Sequence, residues 1–330
     1  ALEQWERRHP EGHELVGVGL TNVARIRLLQ GDDGQAERLS LRAIAVLKEK
    51  FPEVILIENK QNVGFSKANN QAIRASKGEY VLLLNPDTVV EEDTFEKVVD
   101  FMDEHKDAGG LGVKMIDGKG VFLPESKRGL PTPSVAFYKI FGLSSLFPKS
   151  KKFGRYHLGY LDKDEINEVE VLSGAFMLMR RKTLDEVGLL DEDFFMYGED
   201  IDLSYRIILG GYKNYYFPET KIIHYKGEST KKSSVNYVFV FYNAMIIFAK
   251  KHFSSSHANT FSFLIKIAIY FRASIAILNR IVKKLSLPFF DYTLSVVLLF
   301  VVAHFYQEFK PIEFKQSLLN IALPVYGLIW

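Results

Sequence analysis

No cysteine occurs among the 330 residues, which excludes a disulfide framework and cysteine-ligated zinc and is compatible with a reducing compartment. An excess of either charge is lacking too. Against 42 Lys and Arg stand 40 Asp and Glu, a formal net charge of +2, so the whole-chain field gives no support to a nucleic-acid partner. The N-terminus has no basic stretch followed by an apolar core of the signal-peptide kind. What is plentiful is apolar side chain: 47% hydrophobic against 25% charged residues is the composition of a folded chain with enough to bury a core. Three regions follow one another: a helical piece over residues 1–50, an α/β middle over 51–253, and an apolar, aromatic-rich part over 254–330.

The first region echoes itself. Ala1-Leu2 with His9-Pro10-Glu11 returns as Ala43-Ile44 with Phe51-Pro52-Glu53. Leu15 to Leu29 and Ala36 to Leu47 read as amphipathic helices broken by Gly31-Asp32-Asp33-Gly34, a helical hairpin that resembles a tetratricopeptide repeat. One such unit cannot bury its faces alone, which leaves room for a protein partner on these helices. A plainer reading stands beside it: Gln35 to Lys50 is the helix that precedes a strand at Val54–Ile57.

In the middle region the pattern predicts a strand at Val54–Glu58, a helix over Ser66–Ala75, a strand at Tyr80–Leu84 and a helix over Glu91–His105. Tyr80–Leu84 is uninterruptedly apolar, which reads as a buried parallel strand delivering Asn85-Pro86-Asp87 to the edge of a sheet, where open α/β folds bind ligands. Farther on, Leu203, Ile207 and Ile208 recur with helical spacing and Gly210-Gly211 supplies a stop. Glu199, Asp200 and Asp202 therefore belong in a first helical turn, whose dipole favours ionised carboxylates. Two carboxylate centres on two element ends suit one metal and one base. Each also has an ordinary reading, since Asn-Pro-Asp is common turn chemistry and Glu-Asp-x-Asp is common capping sequence. Likewise His224, after the segments Tyr215–Phe217 and Lys221–Ile223, is a metal ligand or a hydrogen-bonding residue at a strand end. Gly174 marks either close approach of two substrates or a glycine bulge.

Five blocks in order, Asn62-Val63-Gly64-Phe65 with Ala68-Asn69-Asn70, Leu84-Asn85-Pro86-Asp87, Ser173-Gly174-Ala175-Phe176, Phe195-Met196-Tyr197-Gly198-Glu199-Asp200-Ile201-Asp202-Leu203 and Ile223-His224-Tyr225-Lys226-Gly227, resemble the family-two inverting glycosyltransferases. The likeness is to the bacterial rhamnosyl- and galactofuranosyl-transferase branch, over residues of about 53–230. The resemblance implies a GT-A-like α/β fold, a Rossmann-like sheet here incomplete, with a divalent cation (Mn or Mg) held by Asp87 and His224. It further implies donor binding by Asn62, Gly64, Asn69, Asn85 and Asp87, with a dTDP- or UDP-sugar as donor. Asp200 is implied as general base, Glu199 as the residue that orients the acceptor, and Gly174 as part of the acceptor site. The family's Asp-Asn-x-Ser-x-Asp-Gly block, which holds base and ribose, is not found in the sequence. Its first strands are expected to be missing, so that the sheet begins at Val54 and the nucleotide pocket is open on one side. The end at Trp330, inside an apolar run, reads as cut.

Phe261–Lys284 gathers Ser262, Lys266, Arg272, Asn279, Arg280, Lys283 and Lys284 on one arc of a helical wheel, the pattern of an interfacial helix. Leu285–Tyr306 reads as a membrane span with Lys283-Lys284 on its cytoplasmic side, and a buried helix pair is the alternative. Together these readings describe a glycosyltransferase of cell-surface polysaccharide synthesis on the cytoplasmic face of a bacterial inner membrane, moving sugar to a saccharide or lipid-linked acceptor. The alternatives are a non-catalytic membrane-associated interaction protein with a remnant domain, and a nucleotidyltransferase with a similar sheet.

Overall fold

A computed structural model describes residues 33–225 and 235–254, with parts of 259–305. The chain divides into two compact units, Ala1–Lys77 and Gly78–Trp330. The first half of the repeat-like segment, residues 1–32, lies outside the described residues, as does most of 255–330.

In the first unit, helix α1 (Asp33–Lys50) is followed by an irregular segment and helix α2 (Phe65–Ala75). The strand expected at Val54–Glu58 is not formed: these residues have no ladder partner among the described residues, and Val54, Ile55, Leu56 and Ile57 are exposed. A β-branched apolar run favours a pleated surface only where a neighbouring strand accepts its hydrogen bonds. Here Val54 and Leu56 instead line a small apolar cavity of about 120 Å³ with Ile44 and Phe51. Among the described residues the sheet begins at Tyr80, not at Val54.

The second unit is built on one mixed sheet. Its strands are β1 (Tyr80–Leu84), β2 (Thr88–Val90), β3 (Ala108–Ile116), β4 (Asn167–Glu168), β5 (Phe176–Arg180) and β6 (Lys213–His224), in the order β1-β5-β3-β6-β2 with β4 beside β6. The parallel pairing expected of β1 is corrected: it runs antiparallel to β5, with Leu84 opposite Phe176, and burial alternates along it. An apolar run reports burial, whereas strand direction is set by which segment arrives beside it. The strand with helices on both sides is β3, almost wholly buried and parallel to β6. The two short segments expected around Phe217 and Lys221 are one long strand, β6, whose register against β3 shifts between Val113 and Lys114. Pro218 falls in that shift, where a residue without an N–H can be accommodated.

Helix α3 (Thr94–Glu104) lays Val98, Phe101 and Met102 on the sheet. Buried Arg180, at the end of β5, donates to the carbonyls of Met102, His105 and Ala108 and so ties the sheet to the helix's C-terminal end, where a cation is favoured. Helices α4 (Pro133–Ile140), α5 (Leu143–Leu146), α6 (Arg181–Val187), α7 (Glu199–Leu209) and α8 (Val235–His252) follow in chain order, with short 3-10 turns at Pro124–Ser126 and Gly154–Tyr156. Ile201 of α7 packs with Phe194 and with Ala244, Met245, Phe248 and Ala249 of α8 in a second core. Residues 288–302 are helical and expose Phe289, Phe290, Val297 and Val302. Among the described residues no helix is long and apolar enough to cross a membrane, and the amphipathic arc expected over 261–284 lies largely outside them.

Candidate active site

Asp87 leaves β1 through the Asn85-Pro86-Asp87 turn and stands directly before β2. Because Thr88 pairs with His224 across the β2–β6 ladder, the two side chains meet: His224 Nε2 lies 3.3 Å from Asp87 Oδ1, both largely shielded from solvent. The backbone holds the turn from both sides, Tyr225 N donating to Asp87 O at 2.9 Å and Thr88 Oγ1 to Asn85 O at 2.7 Å. A carboxylate and an imidazole 137 positions apart in sequence (224 − 87) are thus presented together. This pair of hard-to-borderline ligands fits a divalent cation that takes its remaining oxygens from elsewhere. Among the described residues no three His, Asp or Glu side chains converge, so these residues offer two ligands and the rest of the set would come from elsewhere, such as a diphosphate or water.

The second carboxylate centre is aimed by a strained turn. Tyr197 has φ +68° and Gly198 φ +87°, both left-handed. A non-glycine residue is seldom found there, so Tyr197 stores strain of the kind found at functional sites, while Gly198 adopts it freely. The turn reverses the chain from buried Phe194 into α7, and a Cβ on Gly198 would come within 3.0 Å of the Phe194 ring. Glu199, Asp200 and Asp202 then occupy the first turn of α7, as the spacing predicts, with three different environments.

Asp200 Oδ2 is ion-paired to Arg128 and accepts from Gly174 N at 3.4 Å, while Oδ1 accepts from Ile201 N at 2.8 Å. Burial works against the Arg128 guanidinium's charge, but Asp200 outweighs it and raises its pKa. Glu199 is only 6% exposed, and its Oε2 has no hydrogen-bond partner among the described residues. Burial, then the neighbouring Asp200 charge, pushes its carboxyl up to about 8, so near neutrality it holds a proton and donates rather than accepts. Asp202 is fully buried and accepts from Arg206 Nε at 2.8 Å, Lys251 Nζ at 2.9 Å and His252 Nε2 at 2.6 Å. Burial alone would raise its pKa; His252, Arg206 and Lys251 reverse that and bring it down to about 2. Asp202 faces α8 and not the substrate side.

The two centres are joined by one short turn. Ser173-Gly174-Ala175 enters β5; Gly174 N reaches Asp200, and Ala175 O accepts from Asn85 N at 3.0 Å. Asn85 and Asp87 follow the C-terminal end of β1, His224 is the C-terminal end of β6, and Gly174, bonded to Asp200, precedes the end of β5 that lies opposite them, so these residues gather at one end of the strands. Asn62, Gly64 and Asn69 lie in the first unit, where the amides serve local structure. Asn62 Oδ1 accepts from Gly64 N at 3.0 Å, and Asn69 Nδ2 donates to Phe65 O at 2.9 Å. Gly64 has φ +84° as the residue before α2, which explains a glycine there.

Sequence reasoning missed Arg128, which follows no motif and is informative only by its contact with Asp200. It also missed Tyr156, whose phenol is buried against Arg128 and has its pKa raised, first by burial.

The sequence profile described as "Glycosyltransferase like family 2" matches residues 36–238. An N-acetylglucosaminyl-diphospho-decaprenol L-rhamnosyltransferase of Mycobacterium tuberculosis is 26% identical over 251 residues, 72% of this chain and 79% of the relative. A rhamnosyltransferase of Escherichia coli K12 is 30% identical over 169 residues, 49% of this chain and 61% of the relative. Among solved structures, a mannosyltransferase of Pyrobaculum calidifontis in complex with GDP-Man and Mn2+ covers 75% of this chain and 68% of its own at 15% identity, with a TM-score of 0.42, too distant to bear on the chemistry. The family profile spans more than half of the chain, including both carboxylate centres and the sheet between them: the chain belongs to glycosyltransferase family 2 and is a glycosyltransferase.

Proposed function

We propose that the protein is an inverting hexosyltransferase, rhamnosyltransferase-like, that moves sugar from a dTDP- or UDP-sugar to a saccharide or lipid-linked acceptor at the cytoplasmic face of a bacterial membrane. The observation that carries this reading is the turn Ser173-Gly174-Ala175, which bonds both to Asp200 and to Asn85, two residues before the Asp87 that meets His224. A cation on Asp87 and His224 would neutralise the charge that develops on the departing diphosphate. The remaining chemistry belongs to side chains. Asp200 takes the acceptor hydroxyl's proton as the hydroxyl attacks the anomeric carbon from the side opposite the diphosphate, one displacement that inverts the centre. Three of its acceptor sites are occupied, by Arg128, Gly174 N and Ile201 N, and a carboxylate has capacity for a further hydrogen bond. Glu199, holding its own proton, orients the acceptor by donating to one of its oxygens. The M. tuberculosis relative, named for a diphospho-decaprenol-linked sugar, supports the acceptor class.

The test is transfer and donor hydrolysis by the full chain with Mn2+ or Mg2+ and a panel of sugar nucleotides. Asp200→Asn is expected to lower turnover by roughly 100-fold or more with donor affinity nearly unchanged. An equal loss of donor affinity moves Asp200 into donor binding and overturns the assignment.

A further inference from the structure

From Ser126 to Leu161 the chain has no acidic residue and seven basic ones. Lys127 and Arg128 are committed to the interior, Lys127 donating to the carbonyls of Leu158 and Leu161 and Arg128 pairing with Asp200, and Arg155 pairs with Glu170. Lys149, Lys151 and Lys152 are different. All three are exposed, and none has an ion-pair partner among the described residues.

They follow, in the same stretch of chain, apolar side chains that the fold leaves outside. Leu146 is 70% exposed and Phe147 52%, and Phe141 is exposed beside them. The Phe147 and Phe153 rings are 5.6 Å apart, with Lys152 Nζ 5.5 Å from the Phe153 ring centre. The loop that presents them is internally fixed. Gly154 N donates to Ser150 O at 2.7 Å, Phe153 N to Ser150 Oγ at 3.2 Å and Ser144 Oγ to Phe153 O at 2.7 Å. A hydrogen-bonded surface loop with exposed leucine and phenylalanine followed directly by three exposed lysines, and no carboxylate in the stretch, has the chemistry of insertion into the headgroup region of an anionic bilayer. It is also tied to the Asp200 region: Gly129 N, beside Arg128, donates to Tyr156 O at 3.1 Å, and Arg128 pairs with Asp200.

We propose that the α4–α5 excursion, with Leu146 and Phe147 exposed and Lys149, Lys151 and Lys152 following them, docks on an anionic lipid surface and thereby brings a membrane-held acceptor to Asp200. The surface stands on its own observations; only its use in delivering an acceptor rests on the transferase reading above.

The absence of cysteine supplies the experiment. Ser145→Cys in the full chain, labelled with an environment-sensitive nitrobenzoxadiazole group, is mixed with vesicles of phosphatidylcholine containing phosphatidylglycerol, or of phosphatidylcholine alone. The expected result is a blue-shifted emission with the anionic vesicles, reversed by salt. Substituting Lys149→Gln, Lys151→Gln and Lys152→Gln together is expected to reduce partitioning on the order of tenfold or more. Leu146→Ser with Phe147→Ser is expected to abolish the shift. Salt reversal on the otherwise unsubstituted labelled chain keeps the test valid should those variants fold poorly. Protein that pellets with vesicles while the probe stays in water overturns the proposal, as does a blue shift that appears on concentrating the protein without vesicles, the signature of a second copy covering the patch. No donor is needed, so docking and transferase activity fail or stand separately.

Discussion

Asp202 belongs to the same four-residue motif as Asp200, yet its contacts make it a fastener between α7 and α8, and replacing it separates the two roles. In Asp202→Asn the shape is kept and the charge lost, leaving Arg206, Lys251 and His252 around a neutral amide. The native carboxyl ionises at about 2 instead of 3.8; at about 1.4 kcal/mol per pH unit this corresponds to roughly 2.5 kcal/mol of stability. Lys251 is one-third exposed and its share is screened, which holds the figure below the roughly 3–5 kcal/mol of a wholly buried broken pair. For a unit of this size the expected fall in Tm is about 5–10 °C, read by circular dichroism. The pH dependence has a definite sign. A carboxyl with its folded pKa depressed contributes fully above 3.8, and the contribution disappears as pH falls toward about 2. The native protein should lose stability in that window and Asp202→Asn should not lose it again. Donor turnover per folded molecule should be little changed. A Tm within about 1 °C of native, or a variant that is stable but inactive, would refute the fastener and place Asp202 in the chemistry.

Glu199 has the opposite sign: its folded pKa is raised, so the native state keeps a proton that the unfolded chain releases, and stability should fall as pH rises from 4.5 to about 8. Denaturant titration of Glu199→Gln across that range should show a flatter profile; an unchanged slope would exclude Glu199 as its source. For the cation pair, His224→Ala or Asp87→Ala should raise the Mn2+ concentration needed for half-maximal turnover by roughly 10-fold or more, with Tm in metal-free buffer shifted far less than in Asp202→Asn. Equal metal dependence in variant and native protein would remove both as ligands.

Much of this site is legible in order and spacing. The recurrence of Leu203 and Ile207 and the stop at Gly210-Gly211 define α7, and with it the first-turn position of all three carboxylates. Division of labour among them is not legible, because it is decided by Arg128, Lys251 and His252, which arrive from about 50 to 75 positions away with no motif around them. The meeting of Asp87 and His224 could be expected only from the resemblance; its cause is the β2–β6 register, a tertiary fact. Two strand readings went wrong for one reason. Val54–Ile57 has strand composition without a partner, and Tyr80–Leu84 has the composition of a parallel strand with an antiparallel one beside it. Composition states what a segment can do on a sheet, and pairing is supplied by the rest of the chain.

The turn that links Ala175 O to Asn85 N and Gly174 N to Asp200 has a thermodynamic reading beyond holding side chains still. A single peptide turn bonds to Asn85 and to Asp200, so under the transferase reading proposed above a donor that tightens the Asn85 side would also restrict the Asp200 side. Coupling of that sort is reciprocal: whatever factor a bound donor contributes to acceptor affinity, a bound acceptor returns to the donor. In that reading the two substrates would not bind independently, and the affinity of each would be a property of the pair.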